Sequence, residues 1–399
     1  MTQNKKFNHT IYACFIAYVV QAIINNFVPL LFLTFQTEYD ISLDKITLLV
    51  TFNFGIQLLV DILCARYVVK IGYKKAIIGA HFFAAVGLIG LTILPELLPD
   101  PFAGFLLSVA IYAIGGGIIE VLVSPIVEAC PTERKEGAMS LLHSFYCWGH
   151  VGVVLLSTLF FTLAGVRNWK VLAVIWAVIP VGNAFYFLKA PIAPMEGDGE
   201  EGLSLKQLFR NKVFWIMMLL MVCAGACEQG ISQWASAFAE KGLAVSKTVG
   251  DLAGPLLFAV LMGSARALYG EYSDKIKLEK FMVLSGVLCV VSYLTASLAA
   301  SPVLALLGCG LCGLSVGILW PGTFSMSAKD LRGGGTAMFA FLALAGDLGC
   351  SGGPTFVGLV SGAFDDNLKI GILAGTIFPI LLLIGLKTRS LTKVSKDAT

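Results

Sequence analysis

The sequence predicts an all-α membrane protein of twelve transmembrane helices, and three observations predict it. The chain is 57% hydrophobic and 13% charged, with a mean hydropathy of +0.84, whereas soluble domains carry roughly 25% charged residues. Its apolar residues form twelve continuous runs of the ~20 residues that a helix needs to cross a hydrocarbon core about 30 Å thick. These runs are about twice the length of a membrane β-strand, which argues against a barrel. Finally, Lys and Arg concentrate in alternate loops, as they do on the cytoplasmic side of membrane proteins. With the N-terminus inside, 20 of the 28 fall in cytoplasmic segments, so both termini are expected in the cytoplasm.

Span 1 (residues 11–35) follows Lys5 and Lys6 and holds Gln21, Asn25 and Asn26 ahead of Pro29. A basic start before an apolar run imitates a secretory signal, but this run is too long and lacks a small-residue cleavage site. Span 2 (46–69) contains Asp61 and Arg66, and span 3 (76–94) contains His81. Span 4 (102–127) carries the triplet Gly115–Gly117, then Glu120 and Pro125. Span 5 (138–164) presents His143, Tyr146 and His150 at i, i+3 and i+7, one face of a helix. Span 6 (169–189) contains Asn183 and ends at Lys189.

Residues 190–212, rich in Pro, Gly and acid before a short amphipathic piece, form a cytoplasmic linker between a six-span half (1–189) and a second (213–399). Span 7 (213–239) supplies Glu228, Gln229, Ser232, Gln233 and Trp234. Span 8 (252–270) has Arg266 near its inner end, followed by Glu271 and Asp274. Span 9 (281–300) is apolar, span 10 (302–328) carries Trp320 and Pro321, span 11 (335–364) carries Asp347, and span 12 (368–386) precedes Lys387.

The ten cysteines are dispersed through the spans and form no disulfide framework. Cys309-Leu-Gly-Cys312 has metal-like spacing but no second pair or nearby His, so it reads as packing. The triplets Gly115–Gly117 and Gly333–Gly335 lie in or beside membrane helices, where glycine lets helices approach closely; they are not phosphate loops. No Walker element, nucleotide-binding domain or zinc signature occurs. Neither a cofactor nor a nucleic-acid partner is expected.

The halves repeat. "ARYVVKIGYKK" (65–75) aligns with "GEYSDKIKLEK" (270–280), "GHVG" (149–152) with "GDLG" (346–349), and "VSP" (123–125) with "LWP" (319–321), at offsets of 205, 197 and 196 residues. Twofold repetition is the usual construction of secondary transporters. With twelve spans in two halves and Gly270-x-x-x-Asp274-Lys-Ile after span 8, the chain resembles the major facilitator superfamily. In the N-half, Val69 stands where that loop signature has Asp. The stretches "CFIAYVVQAIINNFVPLLF", "IEVLVSPIV", "LLHSFYCWG" and "ALAGDLG" resemble its fucose-permease-like sugar branch. The resemblance implies two six-helix halves around a central cavity, working by alternating access.

An ionised group at mid-bilayer costs at least about 2.5–3.5 kcal/mol on insertion scales, so an intramembrane carboxylate is a functional candidate. At 1.5 Å per residue, Glu120 lies about 10 Å in from the cytoplasmic end of its span, and Glu228, Asp347 and His150 about 18–22 Å. Glu120, Glu228 and Asp347 are therefore the proton-coupling candidates, with helix stitching as the alternative role. In the branch that the chain resembles, a span 4 Glu in this "E-x-x-x-x-P" context is associated with substrate recognition and proton coupling, which carries over to Glu120. The same resemblance implies a span 1 Asp four residues before a Pro. Here that position is Asn25, before Pro29, and it cannot titrate.

A sugar needs convergent hydrogen-bonding groups and an aromatic face in an apolar cavity. The substrate-binding candidates are Gln21, Asn25, Asn26, Glu120, Tyr146, His150, Gln229, Gln233, Trp234 and Trp320. They fall in spans 1, 4, 5, 7 and 10; with span 11, these are the inner helices of the superfamily that the chain resembles. Asp61, Arg66, Arg266 and Asp274 form an inner-end charge cluster expected to act in gating, and His143 is expected to have a gating or structural role.

These features predict a secondary active transporter of a small polar solute, a monosaccharide or related polyol or glycoside, in symport with a proton. Sodium coupling is the alternative ion, because carboxylates and amide oxygens also suit a hard cation. An exporter of drugs or metabolites wants a larger and more apolar cavity. An intramembrane enzyme wants a nucleophile and base at one depth, and neither His143 nor His150 has such a partner in the sequence. The expected setting is a bacterial inner membrane, and the expected assembly a monomer.

Overall fold

The computed structural model describes residues 3–131, 135–193, 205–272, 277–331 and 335–397, and contains no strand among them. The chain divides into two compact units, Met1–Glu196 and Gly197–Thr399. In the first unit α1 runs over Gln3–Asn26 and resumes at Phe32–Tyr39, followed by α2 (Leu43–Ile71), α3 (Tyr73–Leu97), α4 (Pro101–Ala129), α5 (Lys135–Ala164) and α6 (Trp169–Lys189). In the second, a short linker helix (Leu205–Arg210) leads into α7 (Lys212–Ser232), α8 (Lys247–Asp251, then Leu257–Tyr272) and α9 (Leu278–Leu298). It ends with α10 (Pro302–Val316 and Leu319–Asp330), α11 (Gly335–Ala363) and α12 (Leu368–Gly375 and Ile377–Asp397).

Eleven of these helical runs are long and apolar enough to cross a membrane among the described residues. The twelfth, α11, is 29 residues long but carries Asp347 and several glycines in its middle. Helix starts follow their local chemistry. Asp100 accepts a hydrogen bond from Phe102 N ahead of Pro101, and Asn211 accepts one from Val213 N, satisfying backbone donors that a first turn leaves open. Gly72, at φ +88°, makes the one-residue turn from α2 into α3.

Helix interiors break where backbone hydrogen bonding fails. Pro29 sits in a 3₁₀ turn over Val28–Leu31, and α10 is interrupted between Val316 and Leu319, just ahead of Pro321. Proline has no N–H to give the carbonyl four residues back, which is the physical cause of such breaks. Span 7 also departs from the single helix expected over 213–239: its membrane-length helix ends at Ser232, and a turn at Gln233–Trp234 and a separate π-helical turn over Phe238–Gly242 follow. Span 8 begins at Lys247, five residues before the expected 252, and takes a π-helical turn around Pro255.

Within each unit, glycine permits the tightest helix crossings. A Cβ on Gly115 of α4 would meet Ala80 O of α3 at 2.4 Å, and one on Gly349 of α11 would meet Val222 O of α7 at 2.0 Å. His81 and Asn183, the polar exceptions in spans 3 and 6, knit unit 1 together. His81 Nδ1 pairs with Ile77 O (2.7 Å), its Nε2 pairs with Asn183 Nδ2 (2.8 Å), and Asn183 Nδ2 also donates to Ala13 O (3.0 Å). Large apolar side chains such as Leu59, Val86, Leu163, Val178 and Leu284 stay exposed, an arrangement that suits lipid and not water.

Candidate functional site

In unit 1 the polar residues of α1, α2 and α4 converge on Glu120. Gln21 Nε2 donates to Glu120 Oε2 (3.0 Å) and to Gln57 Oε1 (2.8 Å). Gln57 Nε2 in turn donates to Asn25 Oδ1 (2.9 Å) and Asn53 Oδ1 (3.0 Å), while Asn53 Nδ2 donates to Asn25 Oδ1 (3.1 Å). Four amides are thus linked in one network: Gln21 joins Glu120 to Gln57, and the donors of Gln57 and Asn53 converge on Asn25 Oδ1. Gln21, Asn25, Asn53 and Gln57 are buried and Glu120 is half-buried. The glycine triplet makes room for them: a Cβ on Gly116 would come within 3.1 Å of Gln21 Oε1, and one on Gly117 within 3.0 Å of the Gln57 backbone. Gln21 Oε1 is buried and has no hydrogen-bond partner among the described residues.

Asn53 and Gln57 are absent from the candidates read from the sequence. They stand at i and i+4 in an apolar span, the same spacing that singles out Gln21 and Asn25. Asn26 takes a different course, since its Nδ2 donates to Ala22 O one turn back on its own helix (2.9 Å), ahead of the break at Pro29. Its amide donor is spent on the backbone and not turned towards the Glu120 cluster.

The expected face of α5 is graded in burial: His143 is exposed, Tyr146 half-buried and His150 buried. The His143 ring lies 5.4 Å from that of Tyr18, whose hydroxyl bonds Ser124 Oγ on α4 (3.2 Å). Beside His150, Gly149 packs against Val19 and Ala22 of α1.

Unit 2 brings a second set together, and the pairing differs from the sequence expectation. Arg266, expected with inner-end charges, donates from its terminal guanidinium nitrogen to Glu228 Oε2 (3.3 Å) and from Nε to Gly317 O (3.2 Å). The second bond has a clear cause. Gly317 O would normally accept from the N–H of residue 321, but that residue is Pro321 and has none. Arg266 thus supplies the donor that the α10 break leaves missing, and its charge offsets that of Glu228. Gln229 Nε2 donates to Glu228 Oε1 (3.3 Å), and Gln233 Nε2 to Gln229 Oε1 (3.0 Å), so three polar groups of α7 run in series from the ion pair.

Asp347 is buried, next to Gly346, on whose surface the Trp320 indole rests: a Cβ there would lie 2.2 Å from the ring. Trp234 is fully buried and its indole N–H donates to Pro354 O (2.9 Å), which commits both its face and its donor to the interior of unit 2. Asp61 lies half-buried on α2. Asp274 and the side chains of Arg66 and Glu271 lie outside the described residues.

The family profile described as the Major Facilitator Superfamily matches residues 12–354. The chain belongs to the major facilitator superfamily. Its superfamily fold is shared by solved transporters at low sequence identity. The Escherichia coli fucose:proton symporter FucP is 18% identical, with a TM-score of 0.66 over 95% of this chain and 98% of that one. A bacterial homologue of the human lysosomal transporter Spinster is 14% identical, with a TM-score of 0.78 over 98% of each chain. The nucleoside transporter NupG is 14% identical, with a TM-score of 0.73 over 96% of this chain and 99% of that one. Comparison with curated proteins returns no match. As a member of the superfamily, this is an integral, multi-pass membrane transporter of a small solute.

Proposed function

We propose that the solute is a monosaccharide or a related polyol or glycoside, and that it moves in symport with a proton by alternating access. The observation that carries this reading is the Glu120 cluster. It sets one carboxylate at the end of a chain of four amides, with Gln21 Oε1 left as a buried acceptor lacking a donor among the described residues. Such an acceptor calls for a donor that the cluster does not contain, and the two candidates are a solute hydroxyl and the proton of Glu120 itself. FucP, a fucose:proton symporter, is among the proteins that share the fold, which is in keeping with this substrate class.

Of the three carboxylates, Glu120 is the coupling group. Glu228 already has the Arg266 charge beside it, so taking up a proton there means first undoing an ion pair. Asp347 stands beside Trp320 and Gly346 and serves the solute site with the indole face. Gln21 holds Glu120, and Gln21, Asn25, Tyr146 and His150 of unit 1 and Gln229 and Gln233 of unit 2 are assigned to solute binding. Arg266, His143, Asp61, Arg66 and Asp274 are assigned to gating, and both termini to the cytoplasm.

The test is the thermal stability of the purified protein against sugars, polyols, nucleosides and amino acids, in wild type and Glu120→Gln at two pH values. A ligand at 100 times its Kd adds about 2.7 kcal/mol of stability. The expected outcome is stabilisation by one sugar class, with a pH dependence in the wild type that Glu120→Gln removes. Stabilisation by nucleosides or apolar cations alone overturns the sugar assignment. A response that requires sodium at constant pH overturns the proton.

A further inference from the structure

A cavity of about 460 Å³ lies within unit 2, at the opposite end of α7 from Glu228 and Gln229. It is lined by Gln207, Arg210, Asn211, Lys212, Val213 and Thr392, where the linker helix turns into α7 and the last turns of α12 pass by. Its volume falls in the ~300–1,000 Å³ range of small-ligand sites. Among the described residues, no carboxylate lines it. Two cations do, and neither Arg210 nor Lys212 makes an ion pair among the described residues. The contrast with Arg389, one turn before Thr392 on α12, is direct: that guanidinium is buried and engaged by Asp330 (2.6 Å) and Glu279 (3.1 Å).

The surroundings place this cavity at a membrane boundary. Lys212 is the first residue of a membrane-length helix. On the linker helix Leu208 is fully buried, while Phe209 is exposed and packs its ring 5.7 Å from Trp215 and 5.0 Å from Phe341. Trp215, itself exposed, donates its indole N–H to Phe209 O (2.9 Å). Exposed aromatic rings with a tethered polar edge are what anchors a span end at the headgroup level. Basic pockets on the cytoplasmic side of membrane proteins suit acidic lipid headgroups.

We infer that this cavity binds the phosphate headgroup of an anionic phospholipid. Arg210 and Lys212 neutralise the phosphate and Gln207 lies beside the polar part of the headgroup, while Thr392, whose hydroxyl donates to Thr388 O (2.9 Å), offers only an acceptor there. Phe209 and Trp215 flank the acyl chains. A lipid source is favoured over a free anion because the charged pair adjoins an exposed aromatic surface, which a free phosphate has no use for. The site is independent of the solute assignment, and it would tie the linker to the membrane end of unit 2.

The experiment uses the full-length protein in a neutral detergent, titrated with short-chain phosphatidylglycerol, phosphatidylcholine or inorganic phosphate, reading bound lipid by native mass spectrometry and Tm in parallel. Arg210→Gln/Lys212→Gln is compared with the charge-keeping Arg210→Lys/Lys212→Arg. The expected result is at least a tenfold preference for phosphatidylglycerol over phosphatidylcholine. The neutral pair of substitutions loses it and the charge-keeping pair retains most of it. Absence of the preference in the wild type overturns the proposal, as does its survival in the neutral pair or its loss in both. Inorganic phosphate that stabilises as well as phosphatidylglycerol at equal concentration overturns the lipid in favour of a free anion.

Discussion

At the scale of single residues, the cluster around Glu120 makes sharp demands. Gln57 connects three partners, so Gln57→Ala removes one of two bonds at Gln21 Nε2 and at Asn25 Oδ1 and leaves the buried Asn53 Oδ1 without its donor. Each unsatisfied buried group costs about 1–3 kcal/mol, and the expected loss of stability, read from denaturant or thermal unfolding, lies in that range or above it. A change below about 0.5 kcal/mol would mean that the amide chain contributes little to the fold. Outside the spans, burial pushes the Glu240 carboxyl above its ordinary value of 4.5, with Asp251 adding to the rise and Lys247 drawing it back. An acid raised in the folded state gives up stability as pH climbs from its unfolded value. Glu240→Gln is therefore expected to flatten the decline of Tm from pH 4.5 upward, and an unchanged slope contradicts the assignment.

How much of the site the sequence discloses depends on what kind of residue carries it. Gln21, Asn25 and Glu120 are legible because a polar group in an apolar run has few reasons to be there. Asn53 and Gln57 obey the same rule, and reading every span for amides at i and i+4 finds them. The Arg266–Glu228 pair was not legible. It joins groups 38 positions apart, on helices whose interruptions shift every depth counted at 1.5 Å per residue.

Helices and their interruptions set the next scale. Because Arg266 replaces the donor that Pro321 lacks, Pro321→Ala and Arg266→Gln are coupled through Gly317 O. Arg266→Gln leaves Glu228 without its cation, and breaking such a pair costs up to about 3–5 kcal/mol when fully buried. The partial exposure of these side chains, 20% and 10%, places the expectation lower. Pro321→Ala restores the backbone bond and recovers only part of that loss, while Glu228→Gln recovers the charge part; a double-mutant cycle separates the two. Complete rescue by Pro321→Ala alone would show that the ion pair contributes nothing. Gly349→Ala drives a methyl against Val222 O and Ala226 N and is expected to cost about 1–3 kcal/mol by overpacking.

The helix order was legible from apolar run length. The breaks in spans 7, 8 and 10 were not, since the runs carry on through them. Proline marks the breaks only in retrospect: Pro125 and Pro354 sit inside α4 and α11, which continue unbroken. Whether a carbonyl deprived of its N–H partner finds another donor, as Gly317 O finds Arg266, depends on a neighbouring helix and not on local sequence. The repeat adds one consequence. At the 205-residue offset, Arg266 of the second half corresponds to Asp61 of the first (266 − 205 = 61), so the two halves place opposite charges at equivalent positions of their second helices.

At the scale of the whole molecule, the apolar composition, the twelve helical spans and membership of the superfamily describe a multi-pass membrane transporter. The central claim is that Glu120 exchanges a proton with each solute cycle. The most direct measurement is the internal pH of proteoliposomes when an inward gradient of the stabilising sugar is applied, with wild type beside Glu120→Gln and with choline replacing sodium. The account predicts that sugar entry acidifies the lumen for the wild type without sodium. It also predicts that Glu120→Gln abolishes acidification while sugar exchange between equal pools persists. Acidification that survives in Glu120→Gln, or sugar entry by the wild type with no movement of protons, would contradict it.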